Sequence, residues 1–423
     1  LTNLQLTNGG DYTVVVTNVG CSATSQVAHL EIDPAFTKIT TGGIVTDGGY
    51  SLGCAWGDYN NDGLVDLFVC NCPNGVGTDF LYRNNGNGTF TRITTGPQVN
   101  SGIWAAGAAW GDYDNDGNLD LFVSGPIGSG TAAPNRLYHN NGNGTFSKIT
   151  TGLLVTQPLY SHAGVWADFD NDGLVDLFVV NFTSPGSGLP ALDNYLYLNK
   201  ANGNFDRISF GTKALTNGDS WNVAAADFNN DGWMDLFVPQ GGIYGRQNSP
   251  LYTNNHNGSF TLQTNSIVFS NNANSVACAW ADYDNDGFLD LFVSNFYGQN
   301  NSLYHNNGDG TFVLVTYSIL TLDGGTSVGC AWGDYGNDGW LDFFVANLGP
   351  VDPATKTSIA PENNFLYHNN GDGTFTKVTA GSLVNDGGYS TGCAWADYDN
   401  DGFLDLFVSN GWGTLRSEEH TSE

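Results

Sequence analysis

The residues best placed to do chemistry lie in seven short acidic loops. In the fifth, Asp282, Asp284, Asp286, Gly287 and Asp290 spell D-x-D-x-D-G-x-x-D. Carboxylates at positions one, three and five converge if the backbone curls around a centre. Glycine at six permits the sharp turn, position seven offers its carbonyl, and the aspartate at nine closes the shell. Hard oxygen donors in that number suit Ca²⁺. No glutamate stands at position twelve and the flanks are strand-like, which excludes a helix–loop–helix calcium motif. The loops begin at Asp58, Asp112, Asp168, Asp227, Asp282, Asp334 and Asp397. One such loop alone would serve equally well as a plain turn. Seven in register, each crowding three or four carboxylates or their amide equivalents into one hairpin, call for a counter-ion.

Nothing else in the chain resembles a catalytic team. There is no Ser-His-Asp set, no HExxH and no phosphate-cradling glycine loop, so the reading is a non-enzymatic protein. His139, His305 and His368 share one place in "LYHN", where other copies carry Arg83, Leu198 or Thr253, and read as strand-surface residues. Of seven cysteines, Cys54, Cys278, Cys330 and Cys393 fall two residues before a repeated Trp, where other copies carry Ala108, Gly164 or Val223. That pattern marks a small buried residue. Cys70 and Cys72 share one strand face without zinc spacing. The sequons at Asn87–Thr89 and Asn143–Thr145 are accounted for by hairpin geometry.

The elements that must position the loops follow from a repeat. Loop starts are 52 to 63 residues apart, a period that implies units stacking on their neighbours to bury a core. The string "CAWADYDNDGFLDLFVSN" even occurs twice unchanged, at Cys278–Asn295 and Cys393–Asn410. Each unit runs through a small-residue strand ending in "AW", the acidic loop, an apolar run such as "LDLFVSN", then "LYxNNGxG" and "TFxxIT". The Asn-Gly pairs are hairpin turn signals because both residues tolerate positive φ. Each unit therefore reads as four antiparallel strands, A to D. Seven such units predict an all-β fold, a seven-bladed β-propeller. "FTKIT" at Phe36–Thr40 is a D strand with no A, B and C before it, and the last unit has A and B only. Closure by the N-terminal D strand explains both, with the last blade incomplete.

Composition agrees. The 423 residues are 40% hydrophobic and 13% aromatic, enough for a substantial core. The 57 glycines, single Met and few Lys or Glu favour strands and tight turns. With 12 Lys and Arg against 42 Asp and Glu, the formal net charge of −30 disfavours nucleic acid and anionic membranes and favours cations. No apolar run reaches eighteen residues, so no membrane insertion is expected.

Residues 1–33 fall outside the repeat and resemble the last three strands of a bacterial immunoglobulin-like domain, with Asp11 and Tyr12 near the tyrosine corner. The expectation is a chain cut at its N-terminus. "RSEEHTSE" at Arg416–Glu423 resembles the translation of a sequencing adapter and breaks the preceding composition, so residues 416–423 read as a non-native tail that truncates the last blade.

"WGDYDNDGxLDLFV" followed by "LYxNNGDGTF" resembles the FG-GAP or VCBS repeats of integrin alpha-chain propellers and many bacterial surface proteins, over residues 34–415. The resemblance implies seven blades with calcium in the A–B hairpins on one face. Carried over by position, the ligands are Asp58, Asn60, Asp62 and Asp66 in blade one, and Asp112, Asp114, Asp116 and Asp120 in blade two. Blade three has Asp168, Asp170, Asp172 and Asp176; blade four has Asp227, Asn229, Asp231 and Asp235; blade five has the four already named. Blade seven has Asp397, Asp399, Asp401 and Asp405. In blade six Gly336 replaces the third ligand, leaving Asp334, Asp338 and Asp342, the weakest of up to seven Ca²⁺ sites.

A propeller does not fix function; its loops do. The variable B–C connections lie opposite the calcium face, the longest at Phe182–Asp193 and Leu348–Asn363, with Gln240–Gln247 between them in sequence. Tyr50, Trp104, Tyr160 and Tyr389 stand six residues before the repeated Trp, on blades one, two, three and seven, contiguous in a closed ring. Such a crescent would stack on sugar rings or receive an apolar side chain. The expected function is a calcium-stabilised extracellular or cell-surface recognition and adhesion module, a monomeric propeller within a longer secreted chain, binding a glycan or protein. The alternative is the propeller part, catalytic or not, of a polysaccharide-degrading enzyme.

Overall fold

The computed structural model describes residues 10–422 except 14, 19–20, 27, 31–35, 72–77, 126–131, 183–192, 202, 210–218, 243–244, 353–357, 359 and 412–417. It is an all-β propeller. Six blades are four-stranded antiparallel sheets, each made from one continuous stretch of chain. In blade one the strands are Ser51–Gly57, Asp66–Asn71, Phe80–Asn84 and Phe90–Ile93, and they pair in that order.

The sheet carrying the last acidic loop corrects the expectation of seven like units ending in an incomplete blade. It is composite: Ser390–Ala396 and Asp405–Asn410 are followed by Glu418–Ser422, which in turn pairs with the N-terminal Phe36–Ile39. The position left for a C strand is filled by the tail. An open sheet edge presents unpaired N–H and C=O groups, and an extended segment satisfies them whatever its side chains. The Phe36–Ile39 strand completes this sheet as the phase of the repeat predicted. Before it, among the described residues, Gly10–Tyr12 pairs with Ala28–Leu30, and Val15–Asn18 pairs with Cys21–Thr24.

The A strands line the axis, and each touches its neighbour around a closed circuit in which Ser390–Ala396 meets Ser51–Gly57. The B strands are buried on both faces, because each blade is sandwiched between two others. Leu67, Phe68, Leu291 and Phe292 have no exposed surface. This explains why "DLFV" is a continuous apolar run rather than an alternating one. The cores lie between blades: Tyr59, Phe68 and Leu81 of blade one pack with Leu121, Val123, Tyr138 and Phe146 of blade two.

The repeated "AW" and "DY" residues join the blades. Tyr59 stacks on Trp110 of the next blade at 6.3 Å, and Tyr398 on Trp56 at 6.5 Å. The Trp110 and Trp56 indoles donate to the Ala55 and Ala394 carbonyls, each at 3.2 Å. Blade four has Ala225 in place of the Trp, and its A strand shortens to Ala224–Ala226. Cys54, Cys278, Cys330 and Cys393 contribute to the inter-blade clusters as small packed side chains, and burial pushes all four thiols up, that of Cys54 to about 12. Cys70 is also buried; Cys72 lies outside the described residues. Among the described residues no helix is long and apolar enough to cross a membrane.

Candidate metal centre

Each acidic loop is folded by its own carboxylates. The first aspartate accepts the backbone N–H groups of positions five and six, at 2.8–3.1 Å in all seven loops. In blade five these are Asp286 and Gly287 donating to Asp282. The fifth-position aspartate accepts from position seven, as Phe288 N donates to Asp286 at 2.9 Å. Asn285 and Gly287 hold φ of 56° and 91°, the left-handed conformation that turns the chain back on itself.

The ninth-position aspartate belongs to the strand below. Asp290 has no exposed surface; its Oδ1 accepts from Asn306 N at 2.8 Å and its Oδ2 from Tyr283 N at 3.3 Å. The Asn306 side chain then donates to Phe228 O of the preceding blade at 2.7 Å. The "LYxN" asparagine thus ties loop, strand and neighbouring blade together, and Asn84, Asn140, Asn199, Asn254 and Asn369 repeat the link. Burial first, then the charges of nearby aspartates, raises Asp66, Asp120, Asp176, Asp235 and Asp290 to about 7. Asp114, Asp284 and Asp399 are raised for the same reasons.

The fourth-position asparagine completes a ring. Asn61, Asn115, Asn171, Asn230, Asn285, Asn337 and Asn400, all with φ between 51° and 59°, each donate to the sixth-position glycine carbonyl of the following loop. The circuit closes from Asn400 to Gly63 at 3.4 Å.

Positions one and five therefore spend oxygens on the turn, while an oxygen is held in reserve at position three in blades two, three and five and at position nine in blades one and four. Asp114, Asp170 and Asp284 each have a buried Oδ1 without a hydrogen-bond partner, and Asp66 and Asp235 a buried Oδ2. Ligand atoms of Asp112, Asp114 and Asp120 lie within 4.8 Å of one another, as do those of Asp168, Asp170 and Asp176, and of Asp282, Asp284 and Asp286. Orphaned buried oxygens in an all-oxygen donor set fit a hard divalent cation. In blades one and four Asn60 and Asn229 occupy the third position and accept from Asp62 N and Asp231 N. In blade six Gly336 brings no oxygen, leaving Asp334, Asp338 and Asp342.

The histidines correct the surface reading. His139 Nδ1 lies 3.2 Å from Asp120 Oδ1, and His305 Nδ1 3.2 Å from Asp290 Oδ1. His368 Nδ1 lies 3.0 Å from Asp342 Oδ1. Each sits one residue before the asparagine that binds the ninth aspartate, so its side chain is delivered over the loop. That adjacency, readable from "LYHN", was the available signal.

At the other end of the A strands, Tyr50, Trp104 and Tyr389 are half-buried and Tyr160 is buried. Tyr389 packs with Val276, Phe296, Leu348 and Val351. The position two residues after the crescent adds residues that sequence reasoning passed over. The His162 ring is 4.6 Å from Trp221, and burial lowers His162 to about 4. A register shift between Ser161 and Ala163 singles His162 out of the ladder, as bulges do when they re-aim a side chain. Most of the long B–C connection at Phe182–Asp193, and parts of those at Gln240–Gln247 and Leu348–Asn363, lie outside the described residues.

Known proteins share this architecture. The chain is 26% identical over 248 residues to cartilage acidic protein 1 of Xenopus tropicalis, and 25% over 249 residues to that of Mus musculus. Those stretches cover 55% and 56% of this chain, which spans only 37% of either relative. An Agrocybe aegerita lectin, described as recognising non-reducing terminal N-acetylglucosamine, superposes with a TM-score of 0.52 at 19% identity, covering 88% of both chains. BBS1N from a complex with ARL6DN superposes with a TM-score of 0.51 at 11% identity, covering 91% of this chain and 96% of that one. At these identities the two structures speak for the fold alone. The FG-GAP-like repeat profile matches residues 58–123, 127–179, 168–238, 243–293, 283–345 and 357–408, and the chain belongs to the FG-GAP-like repeat family.

Proposed function

We propose that this protein is a calcium-stabilised recognition module whose acidic loops brace one face of the propeller while the opposite face binds a glycan or a protein. The observation that carries the calcium reading is the set of orphaned buried oxygens at positions three and nine. Calcium would be held by the third- and ninth-position oxygens together with the remaining lone pairs of positions one and five, including Asn60, Asn229 and blade six's three aspartates. Filling the loops would offset the burial and the carboxylate repulsion that together raise these groups. The composite sheet is the seventh blade of this reading, and the proposed division of the chain is an immunoglobulin-like segment at 1–33, the propeller at 34–415 and a non-native tail at 416–423.

Tyr50, Trp104 and Tyr389 supply half-buried aromatic surface on adjacent blades, suited to stacking on sugar rings, with the buried Tyr160 supporting them from behind. An extracellular setting fits millimolar calcium and the name of the cartilage relatives. No enzymatic role is proposed. The test combines calcium titration by calorimetry with glycan-array and polysaccharide-degradation screening of the loaded protein. Binding without turnover supports the module; turnover transfers the reading to a polysaccharide-degrading enzyme, and absence of calcium binding removes the calcium reading.

A further inference from the structure

Blade-to-blade variation at one place alters the donor set of the loops. The residue between Tyr and Asn of the C strand is Arg83, His139, Leu198, Thr253, His305 or His368 in blades one to six. Among the described residues, only in blades two and five does an imidazole from this place reach a loop that carries all four aspartates. His139 Nδ1 lies 3.3 Å from Asp114 Oδ2 and 3.2 Å from Asp120 Oδ1. His305 Nδ1 lies 3.3 Å from Asp284 Oδ2 and 3.2 Å from Asp290 Oδ1. Despite that proximity neither nitrogen has a hydrogen-bond partner, and both are shielded from solvent, as are the unpartnered Oδ1 atoms of Asp114 and Asp284. Asp120 and Asp290 are fully buried. The Asp284, Asp290 and His305 ligand atoms lie within 4.8 Å of one another, as do those of Asp114, Asp116 and His139. Donors from a loop, a B strand and a C strand thus point at one spot in each of two blades, spaced like neighbours in a coordination shell but not aligned as hydrogen bonds.

We propose that the loops of blades two and five are mixed carboxylate–imidazole sites, with His139 and His305 each supplying a nitrogen ligand, and that they take a first-row transition cation such as Zn²⁺ or Co²⁺ in preference to Ca²⁺. Imidazole is a ligand for these borderline ions, whereas Ca²⁺ is held by oxygen. The inference rests on the reading that the loops hold divalent cations at all. Blade three is the internal control, because Leu198 leaves its four aspartates an oxygen-only set. Blade six lacks the third carboxylate at Gly336. In blade four His256 arrives from the C–D turn, stacks on Trp233 at 4.8 Å and reaches only Asp231, at 3.0 Å, on the exposed rim.

The test strips the full chain with chelator and equilibrates it with Zn²⁺ in millimolar calcium. Metal content and zinc-edge X-ray absorption are then measured for the wild type and for the His139→Leu/His305→Leu variant. Leucine is the resident of blade three, so the strand accommodates it. The expected result is two zinc equivalents, each with one imidazole in its shell. In the variant zinc affinity falls by more than about tenfold, the least that even an outer-sphere partner contributes, while calcium binding to the other loops is unchanged. An all-oxygen zinc shell, or zinc retained in the variant, overturns the proposal and leaves an imidazole–carboxylate pair only. The wild-type spectrum decides this even if the variant fails to fold. Calcium binding without zinc binding overturns the proposal alone; binding of neither ion also removes the reading on which it rests.

Discussion

Replacing Asp284 by alanine is expected to move stability in opposite directions with and without calcium. Asp284 stands third in its loop, with ligand atoms of Asp282 and Asp286 within 4.8 Å and a buried Oδ1 that has no partner. Burial and then the Asp286 charge raise its carboxyl, so in chelator it is a net burden on the loop. Two like charges about 4–5 Å apart in largely aqueous surroundings repel by ~1 kcal/mol, which the variant recovers. In calcium at a hundredfold excess over Kd, a filled loop contributes ~2.7 kcal/mol, most of which is lost with an anionic ligand. A cooperative unit of roughly 400 residues unfolds with an entropy of ~0.8 kcal/mol per kelvin. The variant should therefore melt ~1 °C higher than wild type in chelator and up to ~3 °C lower in calcium. Differential scanning calorimetry in matched chelator and calcium buffers reads both shifts. Shifts of the same sign in both buffers would refute the view that the loop is a cation site rather than a turn.

Asn306→Ala removes donors to Phe228 O at 2.7 Å and Leu289 O at 3.0 Å, stranding two carbonyls, and should cost ~2–4 kcal/mol in urea unfolding whether or not calcium is present. Trp104→Ala should abolish glycan or protein binding while leaving calcium-dependent melting unchanged; retained binding would dispose of the aromatic crescent. Burial holds His162 at about 4, so between about pH 6.5 and 4 the unfolded chain takes up a proton that the folded one refuses. The stability contributed by keeping His162 neutral is complete above pH 6.5 and lost as pH falls. His162→Gln should flatten this acid limb by ~1–3 kcal/mol, measured as urea midpoints across that range.

The repeat made the blades legible because every element carried its own local signal: Asn-Gly turns, a small-residue A strand and the acidic loop. The N-terminal Phe36–Ile39 strand was readable as a closing strand because its phase was wrong for anything else. The pairing of Glu418–Ser422 with Asp405–Asn410 was not readable, since backbone groups at a sheet edge do not discriminate among extended partners. The carboxylates of the loops converge as D-x-D-x-D-G implies, because that spacing acts through the local backbone. The approach of the imidazoles to the loops is far less local, which is why "LYHN" reads first as a strand surface. His305 meets Asp290 through strand register across fifteen positions of chain, and its only local sign is its place beside Asn306 in "LYHN". His162 and Trp221 come together from adjacent blades, and their contact exists only once blades three and four pack against each other.

The circuit of asparagine-to-glycine hydrogen bonds has a mechanical consequence. Its links all run in one direction, so the loop-bearing rim is a hoop in which load on one blade is shared with the next. A hoop fails at its weakest link. Here that is the join between Asn400 and Gly63, the longest at 3.4 Å, beside the tightest, between Asn337 and Gly402 at 2.6 Å. Pulled apart between its ends, the ring should open first at that join, and single-molecule force traces in which another pair of blades parts first would contradict this.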